Sequence, residues 1–144
     1  MKKGVRGQMK LSFGMIFSVI LIIIFLAFAF YAIYKFLEVK DNMLIGKFGN
    51  ELQQDVDRIW KGEQGSEDFE YILPKKIDAV CFVDDEFHNL IFKSEDYIEG
   101  KKIEHIDIEK ILNNKEKFCA DNIDGKVLII IEMDFGEKLV SVRK

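Results

Sequence analysis

The feature that most constrains this chain is an apolar segment, Leu11–Tyr34, that contains no charged side chain. It is 24 residues long and is flanked by Lys10 and Lys35. As a helix it would be about 36 Å long, enough to cross a hydrocarbon core of about 30 Å. Apolar residues would lie on every side of this helix, and a chain of 144 residues has no soluble core that could bury it. The segment therefore predicts a single transmembrane helix in a lipid bilayer.

The charge differs on the two sides of this segment. Residues 1–10 contain four basic and no acidic residues, a charge of +4, so the rest of a chain with net charge −4 carries −8. Basic residues beside a membrane helix tend to remain in the cytoplasm. We therefore expect a single-pass protein of the cell membrane with a cytoplasmic N-terminus, 1–10, and a C-terminal domain outside. The acidic domain argues against binding to nucleic acid or anionic lipid, both of which require a basic surface.

Three interpretations of the N-terminal region are open. In the first, the apolar segment is an uncleaved signal anchor. In the second, it belongs to a secretory signal peptide that is cleaved after Ala29, because Ala27-Phe28-Ala29 fits the small-x-small rule. The apolar run nevertheless continues through Phe30–Tyr34, whereas a cleavage region is normally polar and extended.

The third interpretation is based on a resemblance. The segment Lys2–Phe13 resembles the start of an archaeal type IV pilin-like precursor, in which a basic leader ends in Gly, the mature chain often begins with Gln, and a long hydrophobic helix follows. The resemblance covers residues 1–35 and implies cleavage between Gly7 and Gln8, with assembly through bundled N-terminal helices. It also implies a long N-terminal helix that packs on a small antiparallel sheet. The glutamate usual at the fifth mature position of that family is Ser12 here, so its pairing with a neighbouring subunit's amine cannot form.

A helical pattern continues after the apolar segment. Over residues 35–61, apolar residues recur at spacings of three, four and seven, which predicts an amphipathic helical stalk. This apolar stripe consists of Leu37, Leu44, Phe48, Leu52, Val56 and Ile59 or Trp60. We expect it to pack on the following domain or to pair with the same stripe of another subunit. Gly46 and Gly49 are candidates for a kink or a break, and Lys61–Asp68 is predicted to end the helix and form a polar loop.

Strand-like patterns begin at Phe69 and predict an α+β fold. The transmembrane helix and its amphipathic extension should pack on a small antiparallel sheet of about five strands plus a short helix, in a domain spanning 62–144. Asp84–His88 is predicted to form the loop of a hairpin. Asp107 is a candidate N-cap for a helix within Ile103–Lys117. The first predicted strands are Phe69–Leu73, Ile77–Val83 and Asn89–Lys93.

The clearest turn signal is Asp124-Gly125, between the strand-like segments Phe118–Ile123 and Val127–Glu132. Such a two-residue loop favours a type I′ turn. Together with Lys138–Val142, these segments predict a three-stranded antiparallel meander. Because Val127–Ile131 is apolar at every position, we expect it to be a central strand covered on both faces.

Cys81 and Cys119 are the only cysteines, and both fall in predicted strands outside the membrane. An even number of cysteines in an oxidising compartment favours a disulfide. Closing a loop of about 38 residues would contribute about 4 kcal/mol in the chain-entropy description. The alternative is two separately buried thiols, since free Cys behaves as a small hydrophobe.

The sequence contains no pattern that predicts catalysis or metal binding. Asp84–His88 lacks zinc-ligand spacing, Asp121–Gly125 fails the calcium-loop register, and motifs for phosphate binding or hydrolysis are missing. We therefore expect no enzyme, no cofactor, no metal site and no small-molecule substrate. The expected partners are the lipid bilayer and either an envelope protein or another copy contacted through the N-terminal helix. These features predict a structural or protein-interaction role in the cell envelope, with a pilin-like filament subunit as the alternative.

Overall fold

The computed structural model describes residues 13–95 and 98–144. Its α+β fold confirms the predicted class. The chain divides into two compact units, Met1–Val39 and Lys40–Lys144, which are described separately below. In chain order, the elements are α1 (Phe13–Lys61), β1 (Gly65–Ile72), β2 (Ala79–Val83), β3 (Leu90–Lys93), β4 (Ile98–Lys101), α2 (Ile108–Leu112), β5 (Lys117–Asp121), β6 (Lys126–Met133) and β7 (Ser141–Arg143).

Helix α1 is continuous over 49 residues, so it does not break at Gly46 or Gly49. Each glycine costs only about 1 kcal/mol relative to alanine, and no proline interrupts the backbone hydrogen bonds. The helix ends where the Gly62 N–H donates to the carbonyls of Arg58 and Ile59, at 3.2 and 3.1 Å. Glu63 then adopts a left-handed conformation, with φ of 61°, which turns the chain away from the helix.

The predicted polar loop Lys61–Asp68 is wrong in its second half, because β1 already begins at Gly65. Strand β1 pairs with β6 from Gly65↔Met133 to Ile72↔Lys126. It is an edge strand of its sheet, and most of its residues from Ser66 to Glu70 are exposed. Their polar side chains therefore obscured the strand in the sequence.

The seven strands within the described residues form two antiparallel sheets rather than one sheet of about five strands. The first sheet has the order β1-β6-β7 and the second has the order β4-β3-β2-β5. The predicted hairpin around Asp84–His88 is confirmed as β2 and β3, with Cys81 opposite Ile91. Strand β4 was not predicted from the sequence.

The predicted three-stranded meander is wrong, because β5 and β6 belong to different sheets. The turn itself has the expected conformation. Asp124 and Gly125 both have positive φ, and Ile123 and Lys126 exchange two backbone hydrogen bonds, of 2.9 and 3.1 Å. Beyond this pair the strands diverge, because the Asn122 side-chain amide donates to the carbonyls of Pro74 and Ile77.

Strand β6 is the central strand of its sheet, as predicted, but it is not covered on both faces. The side chains of Val127, Ile129 and Ile131 are buried, whereas that of Leu128 is 62% exposed. Both faces are apolar in sequence, but only one faces the core. The other face leaves an aliphatic surface in contact with solvent.

From Lys40 onwards, α1 packs against both sheets. The ring of Phe48 makes edge contacts with Tyr71 of β1 and Phe92 of β3, with centroids 5.0 and 5.4 Å apart. Packing of the stripe on its own domain is thus confirmed from Phe48 to Ile59, whereas Leu37 is exposed and lies in the first unit. The buried positions of the helix are Ile45, Phe48, Gly49, Leu52, Val56 and Ile59.

The short helix is confirmed, although α2 has only five residues. The Asp107 carboxylate caps it by accepting a hydrogen bond from the Lys110 N–H at 2.9 Å. The preceding segment is extended, because Ile106 forms a bridge with Val140. Asn113, in a left-handed conformation, ends the helix.

Candidate functional site

The first unit exposes a continuous apolar helical surface. Helix α1 is long and apolar enough to cross a membrane, and the most apolar part of it has no buried residue in the structure. Even Leu21, the least exposed of its large apolar side chains between Phe13 and Tyr34, is 37% exposed. The Ser18 hydroxyl donates to the Gly14 carbonyl at 2.8 Å, so this polar group is satisfied within the helix. The surface is suited to burial in hydrocarbon.

The second unit contains the disulfide predicted between Cys81 and Cys119. The two residues are direct partners in the antiparallel pairing of β2 and β5, with Cα atoms 4.0 Å apart. The bridge therefore ties together two strands that are separated by 38 residues in sequence. The other predicted site, the leader cleavage between Gly7 and Gln8, lies outside the described residues.

The acidic loop between β2 and β3 is organised by its own backbone. One oxygen of the Asp85 carboxylate accepts hydrogen bonds from the N–H groups of Phe87 and His88, at 2.9 and 3.0 Å. These two bonds lower the pKa of Asp85. Within residues 13–95 and 98–144, no group of three or more His, Cys, Asp and Glu side chains is arranged to hold a metal ion.

A polar cluster joins the end of α1 to the segment before α2. The Asp57 carboxylate lies 2.9 Å from Nδ1 of His105 and accepts a second hydrogen bond from the Gln53 amide at 2.8 Å. Trp60 stacks on the His105 ring at 3.8 Å, and its indole N–H donates to the Lys138 carbonyl. Burial raises the pKa of Asp57, but the hydrogen bonds from His105 and Gln53 outweigh it, so the pKa is lowered overall. We call Gln53, Asp57, Trp60 and His105 the helix-end cluster.

A second contact joins α1 to β4. The Lys101 ammonium donates to the Asn50 side-chain oxygen at 2.7 Å. Its aliphatic chain crosses the helix at Gly49, where an added Cβ would lie only 2.6 Å from Cδ of Lys101. A larger residue at this position would require the flexible end of the Lys101 side chain to move.

A buried hydroxyl provides a third contact with the helix. Tyr71, in β1, donates to an oxygen of the Asp55 carboxylate at 2.7 Å. Burial, together with this hydrogen bond, raises the pKa of Tyr71 far above its usual range. The hydroxyl stays protonated and acts as a permanent donor.

Comparison with protein families, curated proteins and solved structures finds no match to this chain. Its functional description therefore depends on its own residues.

The polar contacts of α1 were not predicted from the sequence. His105, Lys101 and Tyr71 are each distant in sequence from the helical residue that they contact. The available signal was the spacing of Gln53, Asp57 and Trp60, which share one side of the helix. Polar residues on one side of a helix indicate only a solvated face, unless their partners are known.

Proposed function

We propose that this chain is a single-pass membrane protein that holds a small, disulfide-bonded domain on the outer side of the cell membrane. The observation that carries the proposal is the apolar surface of α1, in which no residue of the most apolar part is buried, next in sequence to a domain with its own buried core. Burying one such Leu, Ile or Phe side chain contributes about 1.5–3 kcal/mol, so the segment strongly favours a bilayer over water.

Two independent arguments support the outer location of the domain. The excess of basic residues in the first ten favours a cytoplasmic N-terminus. The disulfide between Cys81 and Cys119 is of the kind that persists in oxidising compartments and is rare in the cytosol. Both arguments favour the same orientation, although one concerns the N-terminus and the other concerns the folded domain.

The orientation is tested by labelling single cysteines introduced into the full chain, with a thiol reagent that does not cross membranes. The native cysteines are joined in a disulfide and give no background. We expect Lys115→Cys, in an exposed turn, to be labelled in intact cells, and Lys3→Cys to be labelled only after lysis. The opposite pattern would overturn the orientation. Release of the chain by alkaline carbonate would overturn the anchor.

We further propose that the outer domain acts by binding another envelope protein. Phe87 and Phe135, in two separate turns, are among its most exposed side chains. Aromatic side chains are enriched in protein-protein interfaces. A photoreactive residue at each position, with Lys115 as the matched control, should form a defined crosslink in cells. Equal crosslinking at all three positions would argue against a specific interface.

The second candidate function is that of a pilin-like filament subunit. It is favoured by the unbroken helix of 49 residues, whose second part packs on antiparallel sheets, since the resemblance at the N-terminus implies the same organisation. The intact mass of membrane-extracted protein distinguishes the candidates. A mature chain that begins at Gln8 would support the filament subunit, and a chain that keeps Met1–Gly7 would support the anchor. A chain beginning at Phe30 would instead indicate a cleaved signal peptide.

A further inference from the structure

The second unit begins at Lys40. The surface near this residue differs in charge from the rest of the unit. Two adjoining pockets, one beside Lys40 and one beside Leu128, share Lys126 and together combine five lysines with three exposed aliphatic side chains. We call this surface the Lys40 face. Its members are Lys40, Lys75, Lys76, Lys126 and Lys144, together with Ile72, Ile123 and Leu128.

The strand pairing explains why these residues meet. Ile72, the last residue of β1, is the cross-strand partner of Lys126, the first residue of β6. Ile123 forms the bridge with Lys126 at the tight turn. Lys76 makes an ion pair of 3.2 Å with Asp41, which links this end of the sheets to the beginning of the unit.

The charge of the Lys40 face contrasts with that of its surroundings. Residues 40–144 contain 16 basic and 24 acidic residues, a net charge of −8. The five lysines of the face are accompanied by four acidic partners, which leaves the face at +1 and the remainder of the unit at −9. These acidic partners are Asp41, Glu70, Asp121 and Asp124.

Two of the four ion pairs leave their lysines available to other anions. The Lys75–Asp124 and Lys144–Asp121 pairs are both 3.8 Å long and largely exposed. Exposed ion pairs contribute little to stability, so a lysine can exchange its carboxylate for a phosphate at small cost. Lysines that surround exposed aliphatic side chains form the amphipathic pattern of surfaces that lie in a membrane interface.

We propose that the Lys40 face docks on the surface of the bilayer that holds the chain, with its lysines at lipid phosphates and Ile123 and Leu128 among the headgroups. This inference rests on the proposed membrane anchor. Tyr34 ends the apolar segment six residues before Lys40, and because this stretch belongs to α1 it spans only about 9 Å. Such a short tether gives the face a high effective concentration at the bilayer, so a weak intrinsic affinity is sufficient.

Docking is tested by tryptophan fluorescence in the full chain, reconstituted in bilayers that contain anionic lipid with bromine near the headgroup. The native Trp60 provides the baseline. We expect Ile123→Trp to add emission that is blue-shifted and quenched by bromine. The matched control is Phe135→Trp, an exposed position beyond the opposite end of β6, whose added emission should not be quenched.

A second comparison tests the lysines. Each lysine at an anionic surface changes the docking equilibrium roughly fivefold. Lys75→Gln with Lys126→Gln should therefore reduce the docked population of the Ile123→Trp chain, whereas Lys115→Gln with Lys117→Gln should not. Equal effects of both pairs would overturn the role of the lysines.

The outcomes separate this inference from the proposed anchor. If the chain resists alkaline carbonate, but Ile123→Trp is quenched no more than Phe135→Trp, the docking surface is refuted and the anchor stands. If carbonate releases the chain, both are refuted.

Discussion

The side chain of Phe48 contacts both sheets, so its replacement is a direct test of the packing of α1. Its side chain is 1% exposed and makes edge contacts with the rings of Tyr71 and Phe92. Truncating a buried Phe to Ala costs about 3–5 kcal/mol, and each lost aromatic pair accounts for about 0.5–1.5 kcal/mol. We expect Phe48→Ala to lower the free energy of unfolding by about 4 kcal/mol.

The measurement is urea unfolding of the full chain in detergent micelles, with the disulfide intact. The fluorescence of Trp60, the single tryptophan, reports loss of its stacking on His105. With a urea dependence of about 2 kcal/mol per M, the midpoint should fall by about 2 M.

Met43→Ala is the matched control, because Met43 lies on the same helix and is 69% exposed. It should change the free energy of unfolding by less than about 0.5 kcal/mol. Equal midpoints for the Phe48 and Met43 variants would refute the packing of α1 on the sheets.

Three further predictions use the same unfolding measurement. Replacing both Cys81 and Cys119 by Ala should cost about 4 kcal/mol in the chain-entropy description, since the bridge closes a loop of 38 residues. Because the pKa of Asp57 is lower in the folded state than its ordinary value of 3.8, ionised Asp57 stabilises the fold at pH values above 3.8. This stability is lost as the pH falls below 3.8, and Asp57→Asn should remove this part of the pH dependence. Gly46→Ala, in open space, should stabilise the helix by up to about 1 kcal/mol. Gly49→Ala should stabilise it less, because the flexible end of the Lys101 side chain has to move and gives up its hydrogen bond with Asn50; an equal gain at both positions would contradict the close contact at Gly49.

Features governed by neighbouring residues were predictable from the sequence. The cap at Asp107, the turn at Asp124-Gly125 and the hairpin around Asp84–His88 each depend on a few adjacent residues. Apolar periodicity also located the buried stripe of α1 from Phe48 to Ile59, because helical spacing fixes which residues share a face.

Features that depend on distant residues were not predictable. A tight turn requires only that Ile123 and Lys126 pair, and it leaves open whether the flanking strands continue together. Here β6 pairs with β1, and the side chain of Asn122 holds the end of β5 near Pro74 and Ile77. The helix-end cluster could not be predicted for the same reason, since Asp57 and His105 are 48 residues apart in sequence.

The described chain has its core in the second unit, because no described residue before Ile45 is buried. In the proposed anchor, lipid covers the apolar surface of α1, and in the pilin-like alternative the helices of other subunits cover it. Lipid surrounds a single helix evenly, so the cost of a polar substitution would depend on depth and not on the face of the helix. In a bundle, packing against neighbours would make the cost depend on the face. Substitutions around one helical turn, such as at Ile20, Leu21, Ile22 and Ile23, thus distinguish an isolated anchor from a bundled helix.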